Sequence, residues 1–289
     1  MSIYKKTQLF ILLLFLSLSL HADSPVWKIS NEKSSIYLGG TIHVLKSTDF
    51  PLDKAFHKAY NDSKTIYFEV DIDKVNSPAF QAKATQNLIY KNGETLKDNI
   101  NDKTYGLLEE FFINKGMHIS MMQDFKPSMV VLVMTVMELE ALGFHSAGVD
   151  DFFYKLAIKD NKKIGTLEST DDQLKFLVNM GKGKEDQLLR YTIKDLENTA
   201  VMMDKIKDMW SNAKLQQMNQ FLLKPMSKEF PTLYKEILVD RNNNWMPIIK
   251  DMFNTEEKEF VLVGFLHLVG EDGLLQQLKK DGYKIEILD

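Results

Sequence analysis

The sequence has 289 residues, of which 44% are hydrophobic and 26% are charged, and its formal net charge is −4 at pH 7. This composition is that of an ordinary globular protein, and the negative charge argues against a nucleic-acid-binding protein. The sequence contains no cysteine, which excludes a disulfide framework and a lipid anchor attached to cysteine. Its length allows one large domain or two small ones.

The first 22 residues have the pattern of a secretory signal peptide. Lys5 and Lys6 precede an uncharged, leucine-rich run at residues 9–20, and cleavage is expected after Ala22. The same run could serve as an uncleaved anchor, but its 12 residues fall short of the ~20 that span a bilayer. We therefore expect an exported protein, periplasmic or secreted, with no stable membrane anchor after cleavage. The sequence does not indicate an oligomeric state.

Strands alternate with helices at both ends of the mature chain. Near its start, β-branched and aromatic residues predict strands at residues 34–40 and 64–71, with a helix at residues 52–60 between them. Near its end, the same alternation predicts a strand, a helix and a strand at residues 259–264, 270–280 and 283–288. Repeats of this kind are typical of βαβ units.

The middle of the chain is mostly helical by its pattern, with one short strand expected at residues 163–167. Gly, Pro and Ser are nowhere dense enough to mark a flexible linker. We therefore predict an α/β fold with a mixed or mostly parallel sheet formed by the N- and C-terminal parts. It would be a single domain over residues 23–289, with a helical insertion at about residues 75–250. The predicted helices cover residues 101–115, 126–142, 149–159, 171–179, 184–223, this one with possible breaks, and 226–239.

One motif occurs twice, each time after a predicted strand and before a predicted helix. Gly40 and His43 in the first copy correspond to Gly264 and His267 in the second, with leucine at the same offset in both. A single Gly-x-x-His is a weak signal, because a histidine at a strand end is commonly satisfied by backbone groups. Two copies in the same context predict two imidazoles at the carboxyl edge of the sheet, where ligands of α/β proteins bind.

Two imidazoles seldom hold a metal alone, so carboxylates should lie beside them. Glu69 is the first candidate because it ends an apolar strand, although it could equally be a solvated strand-end glutamate. Asp150 and Glu168 could act as general base or as further ligands. Asp150 also has the position of a helix N-cap. Asp71 and Asp73 are poorer candidates because they run on into a loop.

Arg241 and Asn242 are further candidate catalytic residues, which come after a predicted helix and precede Trp245. An arginine here could clamp a carboxylate or a substrate carbonyl, because its guanidinium forms paired hydrogen bonds. Without a partner it would be an ordinary surface arginine.

These markers, in this order, resemble the TraB/GumN family, which also contains the pheromone-shutdown proteins and the Tiki proteases. The resemblance runs from about Trp27 to Ile287. It rests on the two Gly-x-x-His motifs, Glu69, Gly148-Val149-Asp150, Leu167-Glu168, Arg241-Asn242 and Trp245, and a set of glycines and leucines near the C-terminus.

The resemblance implies a fold like that of erythromycin esterases and haem-binding ChaN-like proteins, with both histidines and a glutamate facing one cleft. Tiki members are described as metal-dependent proteases that prefer manganese or cobalt. One departure is that Phe265 and Leu266 stand where many relatives have small residues. These bulky side chains would narrow the cleft unless they point into the core.

The candidate residues support three hypotheses about function. The first is a metal-dependent hydrolase, most readily a peptidase, in which His43, His267 and Glu69 hold Mn, Co or Zn and Arg241 stabilises the oxyanion. The second is a non-catalytic protein that binds or sequesters a peptide or a small ligand. The third is a metal-free, esterase-like hydrolase with histidine and glutamate as acid and base.

The signal peptide can be tested directly. The mature protein should begin near Asp23 and be released in soluble form by osmotic shock, because the apolar run is too short for a stable anchor. N-terminal sequencing of the released protein measures the cleavage point. Recovery of only the full-length chain in the membrane fraction would show that the segment is an anchor.

Overall fold

The computed structural model describes residues 24–289, so the predicted signal peptide lies outside the described residues. Eight strands are present within these residues, and the bounds of the five that were predicted differ from the expected ones by only a few residues. They are β1 Val26–Ser30, β2 Ser35–Thr41, β3 Val44–Leu45, β4 Thr65–Phe68, β5 Ser146–Ala147, β6 Lys163–Thr166, β7 Glu259–Gly264 and β8 Lys284–Ile287.

Six of these strands form one mixed sheet in the order β6-β4-β7-β2-β1-β8. The pairs β6 with β4, β4 with β7 and β7 with β2 are parallel, whereas β1 is antiparallel to both of its neighbours. The remaining two strands, β3 and β5, form a small antiparallel pair. The prediction of a mixed α/β sheet built from both ends of the chain is therefore confirmed, with β6 added from the middle.

Strand β7 is the centre of the core. Its residues Phe260, Val261, Leu262 and Val263 are completely buried, because it is paired on both edges and covered on both faces. This burial explains why its sequence is a continuous apolar run rather than an alternating one.

The helices fill the interval between β4 and β7 and flank the sheet elsewhere. Their bounds are α1 Lys54–Asp62, α2 Ile72–Asn76, α3 Pro78–Leu88, α4 Leu96–Asn99, α5 Asp102–Asn114, α6 Pro127–Ala141, α7 Val149–Lys159, α8 Thr170–Asn179, α9 Glu185–Leu196, α10 Thr199–Ser211, α11 Leu215–Met218, α12 Lys224–Glu229, α13 Pro231–Tyr234, α14 Asp240–Asp251 and α15 Leu274–Lys280. Short π-helical segments at Asn219–Leu223 and Lys235–Val239 join α11 to α12 and α13 to α14.

Some predicted boundaries were wrong for local backbone reasons. The long helix expected at residues 184–223 is interrupted after α10, where Ala213 takes a left-handed φ of 47° that ends a right-handed helix. The last helix begins at Leu274 rather than at Gly270, because Gly270 has a φ of 85° and Gly273 is the N-cap. Strands β1, β3 and β5 and helices α2, α3, α4 and α14 were not predicted. Arg241 and Asn242, expected after the end of a helix, therefore lie in the first turn of α14.

The helical middle has a hydrophobic cluster of its own, separate from the core around the sheet. Buried side chains of α4, α5, α6 and α9 pack together there, with Leu108, Phe112, Val130, Met134 and Leu189 fully covered. The single-domain organisation with an insertion at about residues 75–250 stays a prediction. Among residues 24–289, no helix is both long and apolar enough to span a membrane.

One buried carboxyl lies at the amino end of the sheet. Glu259, the first residue of β7, is 6% exposed, and its Oε2 has no hydrogen-bond partner within the part of the chain that the structure describes. Its Oε1 accepts only a long hydrogen bond of 3.4 Å from the hydroxyl of Thr255. Burial raises the pKa of Glu259, an effect that the Thr255 hydroxyl opposes and Glu257 reinforces.

Glu259→Gln should remove a pH-dependent loss of stability. Because the folded-state pKa is above the unfolded value, the wild-type protein loses stability as pH rises from about 4.5 through the folded pKa. The free energy of unfolding of the variant relative to wild type should therefore increase from pH 4.5 to pH 8. The increase should be about 1.4 kcal/mol for each pH unit by which the folded-state pKa of Glu259 exceeds its unfolded-state pKa.

Urea unfolding at the two pH values measures this difference. The exposed Glu256, changed to Gln, is the matched control and should show no such dependence. A constant difference between Glu259→Gln and wild type would contradict the assignment.

Candidate active site

The two Gly-x-x-His motifs meet because their strands are paired. In the parallel register of β2 with β7, Gly40 lies opposite Val263 and Thr41 lies opposite Gly264. Both chains therefore leave the sheet at the same level of its carboxyl edge. The backbone around the two histidines differs, since His43 precedes the short strand β3 whereas His267 lies in a 3₁₀ turn.

Glu69 and Glu168 reach the same edge through β4 and β6. Phe68 lies opposite Leu262 of β7 on one side and Thr166 of β6 on the other. The backbone N–H of Glu168 donates to the carbonyl of Glu69 at 2.9 Å, which extends the pairing one residue beyond the strands. Both carboxylates therefore belong to residues at the carboxyl edge of the sheet, where the sequence predicts the site.

Three of the predicted groups surround Gly264. A Cβ placed on this glycine would lie 3.2 Å from Oε1 of Glu69, 3.6 Å from Cδ2 of His267 and 3.7 Å from Nε2 of His43. The backbone of Gly264 has an ordinary φ of −49°, so its conformation does not require glycine. A side chain at this position would instead fill the space above its Cα. Glycine here keeps open the point on which the three side chains converge.

His43 is held from one side and open on the other. Its Nδ1 lies 2.9 Å from Oδ2 of Asp150, whose Oδ1 accepts the hydroxyl of Thr41 at 2.7 Å. The imidazole side chain is 67% exposed, and its Nε2 makes no hydrogen bond to any of residues 24–289. The Asp150 carboxylate raises the pKa of His43 to about 9, and it outweighs the opposing effect of desolvation.

Asp150 reaches His43 because the start of α7 packs against the loop that carries it. Gly148 is the N-cap of α7, and a Cβ there would lie 2.0 Å from the carbonyl oxygen of Ile42. The N–H of Val149 donates to that same carbonyl at 3.0 Å. Gly148 therefore permits the close approach. Asp150 lies in the first helical turn, so its expected alternative role as the N-cap is wrong.

His267 is buried and held by an amide. Asn242 donates from Nδ2 to the carbonyls of His267 and Asp272 at 3.1 and 2.8 Å, so its Oδ1 faces Nδ1 of His267 at 2.7 Å. Nδ1 must then carry the proton, which leaves Nε2 as an acceptor. The imidazole also packs against Trp245, with ring centroids 4.4 Å apart. Burial lowers the pKa of His267 to about 3, so the ring is neutral at physiological pH.

Arg241 lies between the carboxylates and His267, with every N–H directed at a protein acceptor. Nε and Nη2 form a fork onto Glu168 at 3.0 and 2.7 Å, and Nη2 also donates to Glu69 at 2.5 Å. Nη1 donates to Nε2 of His267 at 3.1 Å and to the carbonyl of Ile237 at 3.4 Å. All five donors of the guanidinium are thus used, and none is left to stabilise an oxyanion unless a bond breaks.

The two glutamates respond differently to this arginine. Burial favours protonation of Glu69, but the guanidinium of Arg241, the imidazolium of His43 and the hydrogen bond from the N–H of Gly264 outweigh it and hold the pKa of Glu69 at about 2. Burial raises the pKa of Glu168 in spite of its fork with Arg241, and the neighbouring Glu69 contributes to this rise. Glu168 also accepts the indole N–H of Trp245 at 3.2 Å.

The structure thus brings together all seven residues expected at the site. Arg241, Glu168 and Asn242 each hold another side chain of the site through hydrogen bonds, and their catalytic roles stay predictions. The sequence did not predict that Thr41, Gly148 and Trp245 would contact residues of the site. Asp71 caps α2 through a hydrogen bond from the N–H of Lys74.

Phe265 does not narrow the site. Its side chain is 3% exposed and packs on Trp27 and Gly40, inside the hydrophobic core. A Cβ at Gly40 would lie 2.4 Å from Cδ2 of this ring, so the first glycine of the motif is needed to admit the phenylalanine.

A metal ion does not fit these side chains as they are arranged. Of the three predicted ligands, Glu69 and His267 already accept hydrogen bonds from a guanidinium, which carries a positive charge itself. Residues 24–289 contain no group of three or more His, Cys, Asp or Glu side chains placed to hold a metal. The metal-binding role of His43, His267 and Glu69 stays a prediction.

His43 should have a pKa above, and His267 a pKa below, the ordinary value for histidine. Nuclear magnetic resonance of ring-labelled protein should show His43 changing its protonation well above pH 6.5, and His267 remaining neutral down to pH 5. Asp150→Asn should lower the pKa of His43 towards the ordinary value, because it removes the charge that stabilises the imidazolium. A pKa near 6.5 for His43 in the wild-type protein would contradict the ion pair.

A sequence model described as the TraB/PrgY/gumN family matches residues 25–287, nearly all of the described chain. No curated protein and no solved structure shows significant similarity to this sequence. The similarity to erythromycin-esterase and ChaN-like folds therefore stays an expectation. Because the family match spans both histidine motifs, Glu69 and the arginine-centred cluster, the chain belongs to the TraB/PrgY/gumN family.

Proposed function

We propose that this chain is a hydrolase that cleaves a peptide or a related acyl compound with water activated by His43, without a metal ion. The observation that carries the proposal is the free Nε2 of His43, which lies at the open point above Gly264 beside the carboxylate of Glu69. The peptide substrate comes from the resemblance to the Tiki proteases.

The contacts of His43 support a role as general base. In its neutral form Nε2 can take a proton from water while the hydroxide adds to the carbonyl carbon of the substrate. The imidazolium that results lies against Asp150, which compensates its charge, and Thr41 fixes the other oxygen of that carboxylate. The proton is then returned from Nε2 to the leaving nitrogen or oxygen as the acyl bond breaks.

Glu69 orients the water molecule and does not take part in the proton transfer. Its Oε1 faces the same point as Nε2 of His43 and is fixed by the N–H of Gly264 at 2.7 Å. With a pKa near 2 it is ionised and accepts hydrogen bonds, so it can orient the water without competing for its proton. Arg241 keeps this carboxylate in place.

The proposed place of action is outside the cytoplasm. It is supported by the signal-peptide pattern of residues 1–22, which lie before the described part of the chain. A peptide or protein in the periplasm or the medium is the corresponding substrate.

Activity should depend on the neutral form of His43. The assay uses untagged, chelator-treated protein and a mixture of peptide and ester substrates. The value of kcat/KM should rise about tenfold per pH unit from pH 6 towards pH 9, because the fraction of His43 in the neutral form rises by the same factor. His43→Gln should lower kcat/KM by about 100-fold or more at pH 8. Product release measured by mass spectrometry gives these rates.

The exposed His145, changed to Gln, is the matched control and should retain full activity. An undiminished rate in His43→Gln would remove His43 from the mechanism. Turnover that needs an added metal ion would favour the metal-dependent hydrolase, and binding of peptides with no turnover would favour the sequestering protein.

A further inference from the structure

Two carboxylates and a neutral imidazole converge on one guanidinium in this protein. Glu69, Glu168 and His267 place Oε2, Oε1 and Nε2 at 2.5, 2.7 and 3.1 Å from the terminal nitrogens of Arg241. The side chains of both glutamates and of His267 are each no more than 8% exposed. Such a buried group of negative charge requires a cation.

The carboxylate oxygens and the imidazole nitrogen that contact Arg241 are also atoms that a divalent transition metal binds. Mn, Co and Zn bind carboxylate oxygens and the unprotonated nitrogen of a neutral imidazole, and the proton on Nδ1 of His267 leaves Nε2 for that purpose. Asn242 fixes the orientation of the ring, as the outer partners of metal-binding histidines do. In this structure these atoms contact the guanidinium of Arg241 instead of an ion.

We infer that the guanidinium of Arg241 is the resident cation of this site and keeps divalent metal ions out of it. The resemblance to the Tiki proteases implies an ion held by His43, His267 and Glu69, whereas in this structure the guanidinium of Arg241 is hydrogen-bonded to two of these three side chains. The inference concerns binding alone and holds whether or not the protein hydrolyses peptides.

The choice of arginine supports this role. Only two of the 36 basic residues in the sequence are arginines, Arg190 and Arg241, so lysine is the ordinary cationic residue of this chain. A lysine ammonium has three donors and no planar fork, whereas Arg241 uses five donors and lies 4.6 Å from the ring centroid of Trp245. The site therefore uses the one side chain that can satisfy all of these acceptors at once.

Removing the guanidinium should turn the cluster into a metal site. The purified protein, without a polyhistidine tag and stripped of metal by chelator, is titrated with Mn²⁺ at pH 8 and followed by electron paramagnetic resonance. We expect wild type to show no saturable site at this cluster, and Arg241→Ala to bind one Mn²⁺ at least about tenfold more tightly than wild type. Mn²⁺ should also raise the melting temperature of Arg241→Ala but not that of wild type, because it binds only the folded site.

Three controls assign the gained site. Arg190→Ala, which removes the other arginine, should gain no binding, and Arg241→Lys should gain none because it retains a cation. Adding Glu168→Gln to Arg241→Ala should abolish the gain. If Arg241→Ala does not fold, Arg241→Met, which keeps most of the side-chain volume, replaces it in the same titration.

Two results would overturn the inference. One is an equivalent of Mn²⁺ on wild type that Glu69→Gln or His267→Ala removes, since the guanidinium would then not exclude the ion. The other is an arginine-free variant that is folded and binds Mn²⁺ no more tightly than wild type.

Discussion

The parallel pairing of β2 with β7 is the constraint on which the site depends. It places Thr41 directly opposite Gly264, so that two histidine motifs 224 positions apart leave the sheet side by side. A shift of this register by one residue would separate Gly264 from His43 and turn each strand's side chains to the opposite face. In this register Gly39 leaves room for the side chains of Phe260 and Leu262, which a Cβ there would approach to 2.8 Å.

Electrostatic differences then give the two equivalent histidines different states. Each has its Nδ1 held by a neighbouring side chain, but the partner of His43 is the carboxylate of Asp150 and that of His267 is the amide of Asn242. A negative charge favours the imidazolium, whereas a neutral partner in a buried site favours the imidazole. The repeat in sequence therefore produces a charged, exposed ring and a neutral, buried one. Only the first has a nitrogen open to a substrate.

Much of the sheet and the membership of the site could be predicted from the sequence, because both depend on local patterns. The apolar run of β7 and the glycines after β2 mark strands and their ends, and residues at the carboxyl ends of parallel strands must share an edge. Strand β1, which has neither a long apolar run nor a glycine at its end, was not predicted. The break after α10 depends on the backbone of Ala213, which composition does not indicate.

The roles within the site were harder to predict, because they depend on distances and on the saturation of donors. Sequence reasoning grouped Arg241 with Glu69 and His267, but it could not show that all five N–H groups would be committed inside the protein. It likewise took Asn242 for a catalytic side chain, although the amide is completely buried and holds His267. Pattern identifies which residues meet; contacts decide which of them remain available to a substrate.

The arginine also explains how a site with three acidic side chains can be stable in the core. Replacing a buried, fully hydrogen-bonded ion pair by a lone carboxylate is costly, because the uncompensated charge has lost its water. Arg241 hydrogen-bonds both Glu69 and Glu168 and offsets part of their negative charge, and the indole of Trp245 covers the face of the guanidinium while donating to Glu168. Asp150 lies outside this cluster and is compensated by His43 instead. The site therefore consists of two charge groups that meet over Gly264, one of His43 with Asp150 and one of Arg241 with Glu69 and Glu168. A reaction at His43 can change the charge of the first group while the second remains fixed.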